Sequence, residues 1–226
     1  MAMRQHRRAF LKSVAAGSAI AASLASAATV PQHAAKRVLL ALPKSPLADA
    51  VAATLTGVYD LRSGGDLLPG TEAIVLLPDP AGSAGLAQQI DHSTRGAYDL
   101  LQNGVTQGVG HVIYLSTLRM MAAYPSQFQV DEDFAPRPTD SAGLPEYLGE
   151  FVCREFAREG KLSVVVLRQP DGLDPRDAAQ AVRLALDAQL AGSAPRLGTW
   201  SVFHLSGSAK AEKLLGYHAR FGGPRP

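Results

Sequence analysis

Four stretches of this chain are apolar almost without interruption: Val38 to Leu42, Ala73 to Leu77, His111 to Leu115 and Leu162 to Leu167. A strand with one wet face alternates polar and apolar side chains. Runs of this kind are therefore strands covered on both faces. Shorter strands are expected over Val58 to Leu61 and Trp200 to Leu205. Between the strands the pattern turns helical. An Ala-rich helix fits Leu47 to Leu55, and another fits Gln88 to Gln102, with Ile90, Tyr98 and Leu101 on related faces. A third runs from about Pro145 to Glu159 and carries Leu148, Val152 and Phe156 at i, i+4 spacing. Asp174-Pro175 opens a fourth by N-cap chemistry, with Ala178, Val182, Leu186 and Leu190 on its apolar face. The last, Ala209 to Leu215, is stopped by Gly216. Ser116 to Asp140 shows no regular period. Strands buried on both sides and alternating with helices specify an α/β, doubly wound parallel sheet.

The first 27 residues follow different rules. A basic start gives way to an uncharged run from Ser13 to Leu24, rich in Ala, Gly and Ser, and then to Ala25-Ser26-Ala27. The run is too short and too weakly apolar for a membrane anchor, and the small residues suit signal peptidase. Arg7-Arg8-Ala9-Phe10-Leu11-Lys12 resembles the twin-arginine export motif, which implies a periplasmic or secreted protein without a membrane span after cleavage. Four of the 22 basic residues lie in this leader, which leaves 18 against 20 acidic residues. No basic stripe remains, so nucleic-acid binding loses its electrostatic basis. At 46% hydrophobic residues the chain can fill one core, and the single cysteine, Cys153, is expected as a buried free thiol.

Familiar hydrolytic and metal chemistries find no support. His33, His92, His111, His204 and His218 lack ligand spacing with one another or with Cys153. Asp131-Glu132-Asp133 reads as a solvated loop, and Ser206-Gly207-Ser208 as a helix cap. There is no Gly-x-Ser-x-Gly elbow.

Six segments, in order, carry a resemblance. They are Arg95 to Leu101; His111 to Thr117; the loop holding Tyr124-Pro125, Val130 to Asp133 and Pro136-x-Pro138; Gly149-Glu150; Asp174 to Leu186; and Leu214 to Tyr217. Together the segments resemble the extended short-chain dehydrogenases/reductases, the NAD-dependent epimerase/dehydratase group. The resemblance implies a Rossmann-like domain over residues 37–221, after a signal peptide at 1–27 and a linker at 28–36, with a tail at 222–226. It also implies NAD or NADP as cofactor and a homodimer paired through the tyrosine helix and its neighbour, with the stripe Leu148, Val152 and Phe156 serving either that contact or the core.

The chain departs from that family where its chemistry resides. The resemblance places the family's acid/base tyrosine at Ala142 and its lysine at Glu146, so neither a proton carrier nor the cation that tunes it is present. Tyr147 is the nearby candidate for the acid/base, although it lies one residue beyond Glu146, which turns it about 100° around a helix. Thr117 keeps the family's hydroxyl at the strand end. The glycines of the nucleotide loop fall at Leu42, Ser45 and Ala48, while Pro43 and Pro46 remove two amide donors. Ser45 and Lys44 are the candidates left for a phosphate, and Asp60 for the adenosine ribose. The stretch before Ala73 has room for one strand where the family has two, and Leu167 to Asp174 replaces most of the small substrate domain. The expected function is that of an exported, catalytically degenerate pseudoenzyme that binds an unidentified small molecule or protein. An active NAD(P)-dependent oxidoreductase or epimerase acting on a sugar-like substrate, and a purely structural or partner-binding protein, stay open as alternatives.

Overall fold

The computed structural model describes residues 35–64, 67–77, 85–125, 127–139, 141, 143–190 and 197–222. The leader and the last four residues therefore lie outside the described residues, as does Ala142. Six parallel strands form one sheet in the order β2-β1-β3-β4-β5-β6. They are β1 (Arg37–Ala41), β2 (Asp60–Ser63), β3 (Thr71–Leu76), β4 (His111–Thr117), β5 (Ser163–Gln169) and β6 (Trp200–His204). Helices α1 (Pro46–Leu55), α5 (Pro175–Leu190) and α6 (Ala209–Leu215) cover one face. On the other lie α2 (Leu86–Asp91), α3 (Ala97–Thr106) and α4 (Leu144–Arg158). The α/β doubly wound architecture follows from the strand sequences, since successive strand residues feed opposite cores. Val38, Leu40, Val75, Ile113, Val165 and Phe203 pack toward α1 and α5. Leu39, Ile74, Val112, Val164 and Val202 pack toward α3 and α4.

Two elements differ from the sequence reading. The second strand begins at Asp60, two residues later than expected, because Gly57 turns the chain at φ 81° and Tyr59 makes only an isolated bridge to Thr56. Helix Gln88 to Gln102 proves to be α2, a π-helical segment at His92–Gly96, and α3. A π turn holds one more residue than an α turn, so a 3.6-residue period cannot announce it.

The β2–β3 connection is short, and its described residues form no helix. Its Leu67 packs into the α3/α4 core beside Leu39, Ile74 and Leu76. Arg37 ties the start of β2 to the end of the connection, donating from Nε to Asp60 at 2.8 Å and from Nη1 to the Pro69 carbonyl at 2.6 Å. After β5 the chain passes through Pro170 to Asp174 straight into α5, where the Asp174 carboxylate accepts from the Arg176 amide at 2.9 Å.

Helix α6 ends on Gly216 in the left-handed region, φ 66°, which lets the Tyr217 amide reach back to the Ala211 carbonyl. Beyond it the chain lies against α5. Asp177, fully buried, accepts the Arg220 amide at 2.6 Å and the Phe221 amide at 3.1 Å, while Arg176 stacks over the Phe221 ring. A buried carboxylate satisfied by backbone amides is costly to truncate, because both donors lose their acceptor. Asp177→Ala should therefore lower unfolding stability by roughly 1–3 kcal/mol in urea melts, with Asp177→Asn recovering part of the loss.

Candidate functional site

At the carboxyl ends of β1 and β3 the strand order reverses around β1, and a crevice opens. It has a volume of about 320 Å³. Leu42 and Pro43 form one wall, Leu76 and Leu77 another, and the π segment presents His92, Ser93 and Gly96. Ser93 is 1% exposed, and its hydroxyl finds no hydrogen-bond partner among the described residues.

The β1–α1 turn gives this crevice little means to hold an anion. Pro43 and Pro46 have no amide hydrogen. Ser45 caps α1, its hydroxyl accepting the Ala48 amide at 3.2 Å, so that donor is already engaged. Asp49 adds a carboxylate to the first helical turn, which opposes a second negative charge there. Lys44 is exposed in the turn. Asp60 corrects an expectation outright: it opens β2, level with Arg37 at the amino end of the sheet, opposite the crevice. Its hydrogen bond from Arg37 holds the carboxyl below its ordinary range. The residues present do not fit a dinucleotide's pyrophosphate and ribose.

The expected catalytic positions are likewise occupied by structural duties. Thr117 ends β4, and its hydroxyl accepts the Arg119 amide at 3.2 Å. Tyr147 is half-buried on α4 and does not line the crevice. Glu146 is also half-buried, and burial raises its carboxyl above the usual range. Tyr114, fully buried, donates to the Glu146 carbonyl at 3.3 Å, and burial drives its phenol well up. Gly149 explains itself here: a Cβ would strike the Tyr114 hydroxyl and stand 3.1 Å from the Ser93 carbonyl. Helix α4 thus approaches the π segment closely only because that residue is glycine.

A second polar cluster went unread in the sequence. Arg168 of β5 makes a two-pronged ion pair with Glu150 of α4, at 2.9 and 2.7 Å, with both side chains no more than 5% exposed. Its Nη1 lies 3.3 Å from His204 Nε2. Arginine can only donate, so this His204 nitrogen must be the unprotonated one. Glu132 accepts the His204 amide at 2.8 Å and the Ser208 hydroxyl. Burial pushes the Glu132 carboxyl up, but these two donors outweigh it and hold it below the usual range. Val130, Glu132, His204 and Ser208 border a hollow of about 590 Å³. Among the described residues no group of three His, Cys, Asp or Glu side chains is set to hold a metal ion.

No family model matches the chain, and no curated protein sequence is similar to it. Solved structures are similar. UDP-N-acetylglucosamine 4-epimerase from Bacillus cereus superposes with a TM-score of 0.64 at 14% identity, over 83% of this chain and 95% of that one. UDP-glucose 4-epimerase from Brucella ovis, in complex with NAD, gives 0.64 at 14%, over 83% and 94%. A short-chain dehydrogenase/reductase superfamily protein from Agrobacterium tumefaciens, with bound NAD, gives 0.52 at 22%, over 59% of this chain and 48% of that chain, about half its length. The likeness is one of fold. The crevice at β1 and β3 lies where such folds receive a ligand, at the switch point.

His204 supplies a pH test of the cluster. Burial, and Arg168 beside it, lower its pKa to about 4, against the upward pull of Glu132, and burial lowers His111 as well. The unfolded chain binds these protons near pH 6.5 and the folded chain does not, so stability falls as pH drops from about 6.5 toward 4. For His204 alone the loss is roughly 3 kcal/mol. Denaturant melts across that range should show the slope, and His204→Gln should remove most of it.

Proposed function

We propose that this chain is a catalytically degenerate relative of the NAD-dependent epimerases and dehydrogenases, and that it works by binding rather than by turnover. One observation carries the reading. The switch-point crevice persists, but the side chains of Leu42 and Pro43 stand in its wall where a dinucleotide needs bare backbone and amide donors. The family's acid/base pair is replaced in sequence by Ala142 and Glu146, and a half-buried carboxyl with a raised pKa cannot tune a phenol as a cation would. The proposal extends to export by the twin-arginine route and to a homodimer in which α3 and α4 pair with their copies. Tyr98 and Phe151, both more than half exposed on those helices, would supply the aromatic contact.

Calorimetry should find no NAD(H) or NADP(H) affinity tighter than millimolar, about −4 kcal/mol. Assays with sugars and nucleotide sugars should stay at background. NAD(P)-dependent turnover that Tyr147→Phe abolishes would mean that Tyr147 is the acid/base after all, and the degenerate reading would fall.

Export has its own test. Twin-arginine translocation reads two guanidinium groups, and an ammonium does not reproduce their planar fork. Changing Arg7 and Arg8 together to Lys should leave precursor in the cytoplasm, whereas normal periplasmic appearance of that variant would refute the route.

A further inference from the structure

We infer that the crevice between β1, β3 and the π segment is a binding site for a neutral, largely apolar ring compound of about two fused rings that carries one hydroxyl or N–H group. The inference deepens the binding role proposed above and rests on it. The walls decide the class of ligand. Leu39, Leu42, Pro43, Leu76, Ala97 and Leu100 are apolar, and among the described residues lining the crevice none has a fixed charge. A phosphate or carboxylate taken into such walls would lose its water without gaining a counter-charge, which is strongly unfavourable.

Size narrows the class further. A volume of about 320 Å³ is roughly twice that of the ~150 Å³ apolar cavity known to accept benzene, so it suits two rings. One feature then directs the ligand. Ser93 lines the crevice, is almost completely buried, and its hydroxyl has no partner among the described residues. A hydroxyl both donates and accepts, and leaving it unpaired in a dry site is unfavourable. A ligand that presents a single polar edge to Ser93 satisfies it, while its rings cover the leucines.

His92, Ser93 and Gly96, all of the π segment, share the crevice wall.

Gly96 supplies the blocking variant. Its φ of −60° suits any residue, and an added Cβ would meet only the His92 ring, at 3.6 Å. Gly96→Leu therefore fills the crevice without straining the helix.

Fluorescence titrations of the full chain with 2-naphthol, naphthalene and NAD⁺ test the inference. The wild type should bind 2-naphthol one to one at micromolar concentration, with naphthalene weaker. Ser93→Ala should weaken 2-naphthol about fivefold and leave naphthalene unchanged, as expected for one lost hydrogen bond. Gly96→Leu, with wild-type circular dichroism, should bind neither ring. No 2-naphthol binding by the wild type, equal binding by Gly96→Leu, or the same loss for both rings in Ser93→Ala would overturn the inference. Absence of all three ligands would refute only the ring-compound site and leave the loss of dinucleotide affinity standing. Micromolar NAD⁺ binding that displaces 2-naphthol would overturn both readings.

Discussion

A guanidinium that is 4% exposed must be neutralised where it stands, and the Arg168–Glu150 pair fixes much of the structure around that need. Breaking such a pair leaves a buried charge at a cost of about 3–5 kcal/mol, yet replacing both partners with apolar residues is often neutral. Its value lies in position. Glu150 sets α4 on β5, and the remaining nitrogen of Arg168 faces His204 and the Met121 sulfur. His204 in turn offers its amide to Glu132. The irregular chain between β4 and α4 is thus held to the sheet at Met121 and at Glu132 by contacts that begin with one arginine. Gly149, beside Glu150, lets the same helix press against Tyr114 and the π segment.

The sheet was legible in the sequence because burial on both faces removes polar residues from a strand, and continuous runs such as Val38 to Leu42 have few other readings. Helix starts and stops were legible where capping chemistry marks them, at Asp174-Pro175 and at Gly216. The site was less so. Asp60 stood at a suitable spacing after β1, but spacing does not say at which end of a strand a residue falls. The turn at Gly57 and Val58 delays β2, which leaves Asp60 at the amino end of the sheet. Ser93 was missed for another reason. A serine inside a helical run has no distinctive neighbours, and a 3.6-residue period does not announce the π turn in which it sits. Arg168 and His204 were likewise invisible as partners, because they and Glu150 meet only through strand register and helix packing.

The crevice owes its existence to strand order and its character to the residues that line it. Strand order creates the opening at the switch point, and no particular loop sequence is needed for it. What the loop sequence controls is the lining. With two prolines, a capping serine and a first-turn aspartate, the β1–α1 turn offers the crevice carbon rather than amide donors.

The short β2–β3 connection carries a consequence for how the molecule behaves in company. With no further strand beside it among the described residues, β2 is the rim of the sheet, and its unpaired amides and carbonyls could template the strand of another molecule. β2 is poorly suited to that. It spans four residues, carries Asp60 and Arg62, and is exposed from Arg62 onward. A short, charged border of this kind resists edge-to-edge association. On this side the sheet is thus guarded against strand addition by brevity and charge rather than by a covering element.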